Sequence, residues 1–91
     1  MSIADFLETN LSHTHLQHAC LSGANLKFAT LQYADLRNTD LTHCDLTKAN
    51  LTGANLQGAI LFNADLSHAN LTNANLANTK LCGINLMTVI F

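Results

Sequence analysis

Proline and tryptophan are absent from this 91-residue chain, and only 11% of its residues carry charge. Without proline no residue presets φ near −65°, so bends must come from Gly, Asn and Asp. Four Lys/Arg against six Asp/Glu leave a net charge of −2, which lacks the clustered basic surface expected of a duplex-binding protein. No apolar run approaches the ~20 residues of a membrane-spanning helix. The opening MSIADFLETN carries Asp5 and Glu8 and does not read as a secretory signal. The three cysteines, Cys20, Cys44 and Cys82, form an odd set with no metal-site spacing, which suits a reducing compartment better than a disulfide framework. A cytoplasmic protein, with no membrane and no direct nucleic-acid partner, is the expectation.

What the chain does have is apolar residues, 48% of the total, arranged with a single period. Starting at Phe6, every fifth residue through Leu86 to Phe91 is Leu or Phe, eighteen positions without an insertion or deletion. A step of five turns a helical side chain by roughly 140° and sends alternate strand side chains to opposite faces. Neither regular element buries this series on one side.

The slots around each Leu or Phe centre supply the answer. Two residues before it stands alanine at eleven of eighteen positions, with Thr9, Thr14, Thr39, Thr79, Cys44, Ile84 and Val89 at the others. Centre and small residue point inward. Directly before the centre stands Asp or Asn in twelve of eighteen pentads, residues that bond their own backbone in turns. All four glycines, with Asn38, Asn63, Asn73 and Asn78, fall two after a centre, where a type II turn needs φ > 0. Each pentad is therefore a short extended piece and a corner.

The tandem Ala-Asp/Asn-Leu-x-x, as in residues 49–51, 54–56, 69–71 and 74–76, resembles the pentapeptide repeat family across residues 4–91. The resemblance implies an all-β fold, a right-handed quadrilateral parallel β-helix forming one domain over residues 1–91. Four pentads make a square coil, so eighteen give about four and a half coils. Leucine-rich repeats are the alternative, but their period is 20–29 residues with a mixed leucine pattern. At the N-terminus Ser2 and Asp5 have capping-box spacing. Phe6 is already in register, which favours a first coil over a helical cap.

A coil of twenty residues stacks i on i+20. Asp5, Asn25, Asp45, Asp65 and Asn85 then form one column, and Glu8, Phe28, Lys48, His68 and Thr88 another. Some members of the family mimic DNA and bind type II topoisomerases such as DNA gyrase, which needs an extended negative surface. Only Asp45 and Asp65 are adjacent acids on the first column, so inhibition or protection of such an enzyme is the alternative function and not the leading one.

His13, His15, His18 and Cys20 offer zinc chemistry by residue type. They diverge around the square, so no metal and no cofactor is expected. Cys44 falls in a small inward slot and should be buried and inert. Cys20 and Cys82 share a face three coils apart, too far for a disulfide. No catalytic constellation and no phosphate loop emerges, and a non-catalytic structural or protein-interaction scaffold is the reading. Its contact surface is sought where the pattern breaks: Ile60 and Phe62 on one face, with Phe28 and Tyr33 outward on neighbouring faces. The terminal INLMTVIF is the most apolar stretch. Either the chain is a piece of a longer array, or this end docks on a second copy; on the second reading Leu86, Met87, Val89, Ile90 and Phe91 are candidate contacts for an end-to-end homodimer.

Overall fold

A computed structural model describes residues 4–91. Ser2, the first residue of the capping-box spacing, lies outside the described residues. Asp5 itself bridges Asn25, and the Phe6 N–H donates to the Asn25 carbonyl at 2.7 Å, so the coil is already under way there. From this point the chain winds as a right-handed square β-helix of 33 × 26 × 23 Å.

Face 1 carries the centres Phe6, Leu26, Leu46, Leu66 and Leu86, and face 2 carries Leu11, Leu31, Leu51, Leu71 and Phe91. Face 3 carries Leu16, Leu36, Leu56 and Leu76, and face 4 carries Leu21, Leu41, Leu61 and Leu81. Each side is so short that a single residue per pentad forms a parallel bridge. The bridge is made by the residue before the centre, as in Asn10, Thr30, Asn50, Asn70 and Ile90 along face 2. Around each bridge but the last, Asn70–Ile90, the coils share three regular backbone bonds. The Leu26 N–H donates to Asp45 C=O (2.8 Å), the Phe28 N–H to Thr47 C=O (3.0 Å), and the Asp45 N–H to Ala24 C=O (3.1 Å).

Corners follow from the residue types. At each one from Thr9 to Val89, the N–H of the small inward residue closes a turn onto the preceding centre's carbonyl. Sixteen residues two after a centre, from Glu8 to Gly83, have φ between 56° and 80°. All twelve Asp and Asn residues before a centre accept, through Oδ1, the backbone N–H two residues on. These side chains shape the corners, as the sequence leads one to expect.

Inside, the leucines from Leu26 to Leu66 are at most 1% exposed. Burying each such side chain contributes roughly 1.5–3 kcal/mol. Alanine between them lets the walls close, and where Thr39 takes that slot its hydroxyl donates to the Leu16 and Leu36 carbonyls. Cys44 does the same through Sγ to the Leu21 carbonyl.

Face 1 departs from the pattern in the last coil. The Asp65–Asn85 bridge is missing, so the column of Asp5, Asn25, Asp45 and Asp65 ends one residue short of the expected ladder. Thr88 is the one residue in its corner slot without positive φ. A β-branched residue resists that region, and a type I corner flips the central peptide relative to type II. The His68 N–H then finds the Thr88 hydroxyl (3.1 Å) in place of a backbone carbonyl. Ladder pairing resumes at Ile90.

A candidate interaction surface

With every inward slot filled, no pocket opens among the described residues. Function must therefore be sought on the walls and corners. The twelve corner-forming Asp and Asn residues already have a structural role. Asp40 is held below the ordinary carboxylate value of 3.8 by hydrogen bonding from the Thr42 side chain and backbone, and Asp65 likewise by Ser67. Asp35 is held down first by the Arg37 side chain, which pairs with it at 2.7 Å. That is the one ion pair among the described residues.

The histidines and cysteines do not gather. His13 stacks on Tyr33 (centroids 5.3 Å apart), His15 bridges Asp35, and Cys20 bridges Asp40. Among the described residues no three His, Cys, Asp or Glu side chains converge on a metal-sized site. Cys44 is 1% exposed, and burial raises its thiol to about 11. A thiol held protonated in this way is a poor nucleophile. All three cysteines are free.

The four apolar candidates separate into two groups on opposite walls. Ile60 and Phe62 lie on face 4, with Asp40 and Lys80 on either side of Ile60 in the same column. Phe62 is exposed and Ile60 half-buried. Phe28 and Tyr33 stand at the two corners that bound face 2, Phe28 43% exposed and Tyr33 59% exposed. The structure does not join these pairs into one patch.

Around Phe28 it adds what the pentad pattern alone left out. Lys48 Nζ lies 5.3 Å from the Phe28 ring centroid and Lys27 Nζ 5.9 Å from it. The twenty-residue period already placed Lys48 above Phe28. That the Lys27 stem also folds onto the ring is a matter of rotamer, which the period cannot supply. On the next corner, Tyr33 lies across Gly53, where an added Cβ would overlap the ring. At the far end Leu86, Met87, Ile90 and Phe91 are exposed, while Val89 is half-buried against the core.

The family model for pentapeptide repeats matches eight copies, over residues 4–27, 19–58 and 49–86. No curated protein matches the sequence. Among solved structures the chain is similar to HetL, a pentapeptide repeat protein involved in heterocyst differentiation regulation from the cyanobacterium Nostoc. The identity is 30% and the TM-score 0.72, over 98% of this chain and 47% of HetL. It is similar to the pentapeptide repeat protein Rfr23 from the cyanobacterium Cyanothece at 40% identity and TM-score 0.64, over 96% of this chain and 63% of Rfr23. QnrB1, a plasmid-mediated fluoroquinolone resistance protein, shares the fold alone, at 14% identity and TM-score 0.54, over 96% of this chain and 62% of QnrB1. The chain thus spans about half the length of HetL and under two thirds of the other two. Tandem matches along nearly its whole length, on a coil whose corners and core follow the five-residue register, show that the chain belongs to the pentapeptide repeat family.

Proposed function

We propose that the chain is a non-catalytic, rigid scaffold that holds a protein partner against its outward exceptions. The observation that supports this most directly is the exposure of Phe28, Tyr33 and Phe62 on walls built mostly of polar residues. None of the three is needed to fill the core, which is closed by leucine and alanine beneath them. A filled solenoid without a pocket offers a substrate no enclosed site, whereas a stiff wall presents side chains at fixed positions with little ordering cost. We place the protein in the cytoplasm, in keeping with its three free thiols.

The exposed Leu86, Met87, Ile90 and Phe91 extend the reading to a second copy docked end to end. Light scattering of the purified chain at micromolar concentration is expected to give twice the monomer mass, and Met87→Glu with Ile90→Glu to return it to monomer. A monomeric wild type would remove this part of the proposal. Capture from a lysate of the native host tests the rest. A discrete protein should be retained by the wild type and lost with Tyr33→Ser or Phe62→Ser, and equal retention by both variants would refute it.

Topoisomerase mimicry is the weaker reading. It asks for a run of carboxylates, whereas Asn25 interrupts the face 1 column and each acid there shapes its own corner. A gyrase supercoiling assay is expected to show no effect of the purified protein.

A further inference from the structure

We infer that the corner between faces 1 and 2 receives an acidic segment of the partner protein, with an apolar side chain against Phe28 and carboxylates on Lys27 and Lys48. This rests on the scaffold reading and names the chemistry of the partner it requires. Charge gives the first argument. Of the chain's four Lys/Arg, Arg37 is neutralised by Asp35, and two of the remaining three flank a single ring. Neither lysine has a carboxylate within ion-pair distance among the described residues. An ammonium over an aromatic face gains from the ring quadrupole and keeps most of its hydrogen-bonding capacity for an incoming anion.

The backbone gives the second, independent argument. Phe28 has φ 58°, a left-handed conformation that a bulky residue adopts only at a cost. Half of the sixteen such positions hold Gly or Asn, which adopt it more readily. The aromatic ring kept there is 43% exposed and lies outside the buried core. Leu7, 47% exposed, sits in the column position one coil before Lys27 and widens the apolar footing.

The neighbours limit what can dock. Glu8 stands one coil before Phe28 in the same column, and Asp5, Asp45 and Asp65 lie along face 1. These aspartates accept hydrogen bonds at their own corners. Four acids beside two lysines disfavour a nucleic-acid backbone, which needs a continuous cationic track. They leave room for a short segment bearing one or two carboxylates around a hydrophobic side chain.

Fluorescence anisotropy with a labelled, C-terminally amidated peptide, Ser-Asp-Phe-Glu-Ser, tests this on the intact chain. Saturable binding is expected that weakens as ionic strength rises. Lys27→Gln and Lys48→Gln should each weaken it about two- to fivefold, the range for exposed ion pairs. Phe28→Ala should weaken it further, and Lys80→Gln on face 4 should leave it unchanged. All four side chains are exposed, and circular dichroism checks that the coil is intact. Absence of saturable binding, equal loss with Lys80→Gln, or preference for a labelled oligothymidylate would each overturn the inference. A host partner captured equally by wild type and by the Lys27→Gln/Lys48→Gln variant would refute this docking point while leaving the scaffold reading in place.

Discussion

At the scale of single residues, the left-handed corner slot separates glycine from asparagine. Both tolerate φ near +60°, yet Gly53, Gly58 and Gly83 sit where Tyr33, Asn38 and Asn63 of the preceding coil lie across the backbone. A Cβ at any of the three would overlap that neighbour. Gly53→Ala is accordingly expected to destabilise the chain by about 1–2 kcal/mol, combining backbone strain with displacement of the ring. Part of that loss should return in a Gly53→Ala/Tyr33→Ala double variant, and chemical denaturation of the four proteins measures the coupling. Strict additivity would contradict the contact.

The corner aspartates set a pH dependence at the same scale. Asp40 and Asp65 titrate below the ordinary 3.8 in the folded chain. A carboxyl depressed by folding contributes stability that is fully present above its unfolded pKa, near 4, and lost as pH falls through the folded value. The melting temperature should hold level from neutrality to about pH 5 and drop below about pH 4. Asn keeps the accepting Oδ1 without the titration, as Asn50 and Asn70 show in the same slot. The Asp40→Asn/Asp65→Asn variant should therefore show a shallower acid decline, and an unchanged decline would assign it to other groups.

At the scale of the pentad, Thr88 decides the path of the last coil. The Leu86 turn still closes onto Val89, but face 1 loses its bridge between Asp65 and Asn85. Thr88→Asn offers a residue that accepts positive φ, so the corner can return to type II and the His68 N–H to a backbone acceptor. A gain of roughly 0.5–1 kcal/mol is expected, the scale of a net backbone hydrogen bond. Hydrogen exchange should show slower amides at Leu66 and His68. No change at those amides would mean that Ile84, larger than the alanine usual in its slot, holds the coils apart instead.

At the scale of the whole molecule, stability is a sum over coils, each covered by its neighbours. Leu51 is fully buried between coils, whereas Leu81 is only partly buried against the core. Leu51→Ala should cost about 2–5 kcal/mol and Leu81→Ala clearly less, judged by denaturant midpoints. Equal costs would argue against nearest-neighbour stacking. The same stacking gives the walls their stiffness, and so puts Phe28 and Tyr33 at fixed places along the edges of face 2 while holding Ile60 and Phe62 on the opposite wall.

The sequence by itself determined the square coil, its inward leucines, the Asp and Asn corners and the positive φ of the Gly and Asn slots. Each of these repeats every five residues, and the resemblance to pentapeptide repeats is what implies that four such sides close a square. It also placed Lys48 over Phe28 through the twenty-residue period. Only the tertiary structure decided what does not repeat: the fold of Lys27 onto that ring, the seating of Tyr33 on Gly53 and the loosened face 1 at Thr88. Those depend on rotamers and on contacts between coils, where two side chains twenty residues apart compete for one layer of space. A periodic pattern specifies the layers, and the packing within each layer selects which exceptions can be used for recognition.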